Sequence, residues 1–154
     1  MKFVTKAVVG AFVLTVSGLP AFAQDAENGA NIFNRQCANC HNITDDSGEV
    51  LAGRPNMRTG PNLYGVVGRQ AGSVEGFRYG KSLVEAGAEA GLVWSEEEIA
   101  TYLLDPTDYL RETLDSRRAR SQMAYKLRKE SDGEDVAAYL ATFGAEDAEE
   151  APAG

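Results

Sequence analysis

The residues with the most specific chemistry in this 154-residue chain lie in one run, Cys37-Ala38-Asn39-Cys40-His41, which holds both cysteines and the single histidine. Two thiols separated by two residues, with a histidine directly after the second, match the spacing at which haem is attached covalently. The thiols add across two vinyl groups on one porphyrin edge, and the adjacent histidine is held under the iron as an axial ligand. A structural zinc site wants four soft ligands, more than two cysteines and one histidine supply. A thioredoxin-like dithiol wants a strand-helix-strand setting, whereas these cysteines end a helical pattern and enter a glycine-rich stretch. A plain disulfide is compatible with the cysteine spacing alone and stays open at this point.

A single histidine excludes bis-histidine ligation within one chain, so the sixth ligand must be of another type. The thioether of methionine is the leading soft donor. Of the three methionines, Met1 belongs to the N-terminal prefix, leaving Met57 and Met123. Met57 sits between Arg54 and Arg58 and reads as an exposed or gap-filling loop residue. Met123 lies in an irregular segment between two helical patterns, where its backbone can approach a distal haem face while the flanking helices fix the loop.

Several elements must position these groups. Ala26, Gly29, Ala30, Phe33 and Cys37 recur at helical spacing, predicting an amphipathic helix over 25–38 with Asp25 as N-cap. Residues 42–76 carry Gly48, Gly53, Pro55, Gly60, Pro61, Gly65, Gly68, Gly72 and Gly76, too many breakers for regular structure. Long loops in a compact domain usually fold around something, and a large flat cofactor is one such thing. A short helix is expected over 79–87. A clearer one starts at Ser95-Glu96-Glu97-Glu98, a capping-box spacing, with Ile99, Tyr102 and Leu103 on one face. Asp105-Pro106 ends it and starts a further turn through Tyr109. An irregular basic segment, 111–130, follows. A second capping box, Ser131-Asp132-Gly133-Glu134, then opens a helix carrying Val136, Tyr139, Leu140 and Phe143 and ended by Gly144. No hairpin signal and no repeat is evident, so the fold class is all-α with long loops.

Residues 1–23 combine Lys2 and Lys6, an apolar run and Ala21-Phe22-Ala23, the pattern of a cleaved secretory signal. The apolar run is shorter than the ~20 residues of a spanning helix, so no permanent membrane insertion is expected. One domain is then expected over 24–144, followed by an acidic, disordered tail over 145–154. Without the two signal lysines, 13 basic side chains face 23 acidic ones, a surface unsuited to nucleic acid. Residues 111–129 run against this trend, with seven Arg or Lys against Glu112 and Asp115.

Taken together, these features resemble a class I c-type cytochrome of the bacterial cytochrome c2 and cytochrome c550 type. Gly29 and Phe33 precede Cys37 at the family's spacing, and Tyr139 matches the aromatic partner where the N- and C-terminal helices cross. Gly60-Pro61-Asn62-Leu63-Tyr64-Gly65-Val66-Val67-Gly68-Arg69 resembles the loop on the proximal side of the haem, and Ser121-Gln122-Met123-Ala124-Tyr125 the ligand loop. The resemblance implies a cytochrome c fold around one covalent haem c, with His41 and Met123 on the iron. It implies that the Pro61 carbonyl accepts the His41 Nδ1 proton, that Arg69, Tyr79 and Trp94 hold the propionates, and that Tyr102 and Leu103 line the distal pocket. Tyr125 takes a place usually held by phenylalanine. Residues 43–58 and 110–121 look like insertions relative to the mitochondrial pattern.

The function implied is that of a monomeric periplasmic one-electron carrier in respiration or photosynthesis, not an enzyme. Its redox protein partners would be a quinol-oxidising complex (a quinol:cytochrome c oxidoreductase) and a terminal oxidase, reaction centre or reductase. With both axial positions taken, no coordination site is open to a substrate. The competing readings are a haem peroxidase or oxidase, which carbon monoxide binding would reveal, and a binding module that uses the cysteine pair without haem.

Overall fold

The computed structural model describes residues 24–144; the expected signal (1–23) and acidic tail (145–154) lie outside them. Five α-helices and one short hairpin make up the described chain: α1 Ala26–Ile32, β1 Asn42–Thr44, β2 Val50–Gly53, α2 Lys81–Ala88, α3 Glu96–Leu104, α4 Pro106–Thr113 and α5 Glu130–Ala141. Local chemistry accounts for three of the helix starts. Asp25, Ser95 and Asp105 each turn a side-chain oxygen onto a free backbone N–H of the first turn of α1, α3 and α4. Pro106 opens α4, where its missing N–H costs nothing.

The predicted N-terminal helix does not stay α-helical. After Ile32 it widens into a π turn over Phe33–Cys37, closed by the Ala38 N–H on the Phe33 carbonyl at 2.9 Å. Such one-turn widenings favour functional sites, and this one leads directly into the cysteine pair.

α5 packs on both α1 and α3. At the α1 crossing Gly29 lies against the Asp135 carbonyl, and a Cβ there would also come within 2.9 Å of the Tyr139 Cβ. The Asp135 carboxylate accepts from the Asp25 N–H at 2.8 Å and from Asn28 Nδ2 at 2.7 Å, fixing the first turn of α1 on α5. Phe33 packs against Tyr139 at a ring separation of 5.6 Å. Phe33, Ile43, Leu110, Val136 and Pro106 are the largest fully enclosed side chains, so the core joins the helices to the hairpin.

Two expectations need correction. α5 starts at Glu130 with Lys129 as an N-cap that makes no side-chain cap bond, so the Ser131 capping box is not used. A tertiary contact goes with the earlier start: Gly133 sits inside the helix against Ala100 of α3, where a Cβ would stand 3.0 Å from the Ala100 carbonyl oxygen. The second correction is the hairpin. β1 and β2 pair antiparallel with a register shift between Ile43 and Thr44. Its loop is held by Asp45 Oδ1, which accepts from the Ser47 and Glu49 N–H groups at 2.9 Å each, chemistry that a two-residue turn signal does not cover. Two such short strands leave the all-α class intact.

Gly29→Ala provides a test of the α1–α5 crossing. Alanine is the better helix former by ~1 kcal/mol, but overpacking costs about 1–3 kcal/mol and should win. The urea midpoint should fall; a raised midpoint would show that the crossing is loose.

Candidate functional site

The Cys37–His41 run folds as a tight turn in which the Cys40 and His41 N–H groups both reach the Cys37 carbonyl at 3.0 Å. Cys37 is buried, Cys40 is exposed, and the two are not joined as a disulfide. Burial, with Cys40 adding to it, pushes the Cys37 thiol up to about 11, so it is protonated at neutral pH.

Among the described residues the His41 ring has one hydrogen-bond partner. Its Nδ1 lies 2.9 Å from the Pro61 carbonyl oxygen, an acceptor, so Nδ1 carries the proton and Nε2 keeps its lone pair. Burial lowers the ring below its ordinary value, outweighing the opposing effect of the Pro61 bond, and the imidazole is neutral. A Cβ on Gly60 would run into the ring, so glycine there lets the backbone lie flat against it. The Gly60 N–H donates to the Cys40 carbonyl at 2.7 Å, tying the two segments at the histidine.

The 60s loop is internally braced. Asn62 exchanges side-chain bonds with the Thr44 backbone at 2.9 and 2.7 Å. Arg69 donates to the Tyr64 carbonyl at 2.7 Å and the Asn62 carbonyl at 3.0 Å. This bracing role of Arg69 was not anticipated. Its guanidinium also faces Tyr79: burial lowers the one and raises the other, while their mutual interaction opposes both shifts.

Joined to this loop is an aromatic cluster, its Trp94 backbone N–H on the Arg69 carbonyl at 2.9 Å and its Trp94 carbonyl on the Gly68 N–H at 2.7 Å. Trp94 and Tyr102, both buried, meet at 5.0 Å, and Tyr109 packs on them at 6.2 and 5.5 Å. The sequence reading placed no role on Tyr109, although its place in the first turn after Pro106 puts it toward α3. Its hydroxyl donates to the Glu98 carboxylate, which explains why Glu98 does not complete the Ser95 capping box. A cleft of about 430 Å³ on this flank, lined by Leu92, Val93, Glu98, Thr101 and Glu112, shares only Tyr109 with the cluster.

Tyr102 connects this cluster to Met123. Its hydroxyl meets Ser121 Oγ at 2.9 Å, and the same Oγ accepts from the Met123 N–H at 3.0 Å. Ser121 N–H reaches Thr107 at 3.3 Å, Arg120 N–H reaches Ser82 at 3.1 Å and Leu127 N–H reaches the Leu103 carbonyl at 2.8 Å. Met123 packs against the hydrophobic core. Met57 does not; its sulfur accepts weakly from Thr59 at 3.8 Å. One neutral imidazole with a free Nε2, two unpaired thiols beside it and one core-packed thioether on a tethered loop form a donor set that fits a single covalent haem.

Comparison with known proteins is consistent with this. No protein-family model matches the chain. It is 55% identical over 120 residues to cytochrome c2 of Rhodovulum adriaticum, covering 78% of this chain and 93% of that protein. It is 50% identical over 143 residues to cytochrome c2 of Cereibacter sphaeroides, covering 91% and 95%. The crystal structure of cytochrome c2 from Rhodobacter sphaeroides superposes with a TM-score of 0.73 at 49% identity, covering 77% of this chain and 95% of the other.

Ser121→Ala tests the tether. The Met123 N–H and the buried Tyr102 hydroxyl both lose a partner, so guanidinium unfolding should show a loss of about 1–2 kcal/mol, and Tyr102→Phe should cost less at this bond. Equal stability of Ser121→Ala and the parent would remove the tether from the account.

Proposed function

The chain belongs to the cytochrome c2 and c-550 group of class I cytochromes c, and from that premise we propose that Cys37 and Cys40 attach its haem and that His41 and Met123 ligate the iron. As a member of that family it is a haem c electron carrier with redox partners, not an enzyme. Bound haem supplies one reversible electron, its iron moving between ferrous and ferric states.

The observation that carries the ligand assignment is the Pro61 bond to His41 Nδ1, which leaves Nε2 as the donor atom beside two unpaired cysteines. That bond also makes the imidazole a stronger donor. Ser121 and Tyr102 would hold Met123 at the opposite position, where a thioether raises the potential. Arg69, Tyr79 and Trp94 would neutralise and hydrogen-bond the buried propionates, Arg69 through what its two carbonyl bonds leave free.

The carrier is read as periplasmic and monomeric, exported by the 1–23 signal and working between a quinol-oxidising complex and an oxidase, reaction centre or reductase. Among the described residues no helix is long and apolar enough to cross a membrane. The basic segment would face acidic partners. Arg111 pairs with Asp108 and Lys126 with Asp105, whereas the exposed Arg117, Arg118, Arg120, Arg128 and Lys129 take part in none of the ion pairs among the described residues. These five would therefore carry the steering charge.

Three measurements check this reading. Replacing both cysteines by alanine should leave no haem on the denatured chain; retained covalent haem would sink the attachment. Met123→Ala should abolish the near-infrared sulfur-to-iron band, lower the potential and admit exogenous ligands, with Met57→Ala doing none of these; the reverse pattern would make Met57 the ligand. Converting Arg117, Arg118, Arg128 and Lys129 to glutamine should slow second-order electron transfer with an acidic partner at low salt, an effect fading beyond ~0.1 M as the Debye length shrinks to ~10 Å. An unchanged rate would place docking elsewhere.

A further inference from the structure

The loop carrying Met123 is tethered unevenly. The Ser121, Arg120 and Leu127 bonds run to α4, α2 and α3, and the Lys126–Asp105 ion pair runs to the α3–α4 junction. These attachments hold the loop to its own side of the site. Tyr125 does something different: its hydroxyl donates to Gln36 Oε1, a residue 89 positions earlier in the π turn that leads into Cys37.

We propose that the Tyr125–Gln36 bond is a latch that closes the edge of the haem site, joining the methionine loop directly to the cysteine-bearing segment. The two ends belong to the two halves that must stay together for His41 and Met123 to face one another. Tyr125 is 39% exposed and Gln36 borders the buried Cys37, so the latch lies at the rim, where the loop would first lift. Tyrosine is needed for it, since phenylalanine at 125 fills the same space without reaching Gln36. Tyr125 touches no reacting atom in this scheme; it acts as a positioning residue through the loop that bears Met123.

The inference rests on reading Met123 as the sixth ligand, and the test separates the two. Haem-loaded Tyr125→Phe, Gln36→Leu and the double variant are mixed with imidazole, and its entry onto the ferric protein is timed. In parallel, backbone hydrogen exchange is followed over residues 119–127. Loss of a hydrogen bond of ordinary net strength predicts imidazole entry about three- to tenfold faster in each single variant, with no further gain in the double and no change in the resting absorption spectrum. Exchange in the loop should rise in the same variants. Unchanged entry and exchange in both single variants would overturn the latch, as would effects that multiply in the double variant. Faster exchange without faster imidazole entry would keep the latch and contradict Met123 as the ligand.

Discussion

A single hydrogen bond, from the His41 Nδ1 proton to the Pro61 carbonyl at 2.9 Å, sets which nitrogen of the only histidine is available, and much of the surrounding chain serves that bond. Pro61 can accept there only because Gly60 lets the backbone lie against the ring. The loop keeps that approach because Asn62 is bonded to Thr44 and Arg69 to the Tyr64 and Asn62 carbonyls. Thr44 in turn is held by the hairpin. A half-buried imidazole with one nitrogen spent is neutral and directional, the two properties a metal donor needs.

The aromatic part of the site is built on different physics. Trp94, Tyr102 and Tyr109 form a packed aromatic wall whose polar tips reach outward to fixed partners, Ser121 for Tyr102 and Glu98 for Tyr109. Met123 is linked to that wall through Ser121, whose Oγ accepts the Met123 N–H and meets the Tyr102 hydroxyl. A thioether binds iron weakly compared with an imidazole, so its placement depends on how firmly the loop is held. On the proposed assignment of Met123 to the iron, the bonds to Thr107, Ser82 and Leu103 would supply that hold.

What could be read in advance was whatever short-range chemistry specifies. The Cys37–His41 spacing, the Asp25 and Ser95 caps, the Pro106 helix start and the α5 apolar face are local statements, and the structure contains them. The family resemblance placed Pro61 on His41 correctly. Misreadings arose where distant contacts overrode local signals. The Ser131 capping box lost to the Gly133–Ala100 contact. The hairpin was missed because its loop is closed by the Asp45 side chain rather than by a two-residue turn. The Gln36–Tyr125 bond has no sequence signature, since nothing in either neighbourhood refers to the other.

The central claim is that His41 and Met123 are the two axial ligands of one haem. Proton NMR of the reduced protein tests it most directly, because a methionine methyl group held over the haem face is shifted far upfield by the ring current. The account predicts one such methyl resonance, assigned through its spin system to Met123, together with a slowly exchanging His41 Nδ1 proton. An upfield methyl belonging to Met57, or no shifted methionine methyl at all, would contradict it.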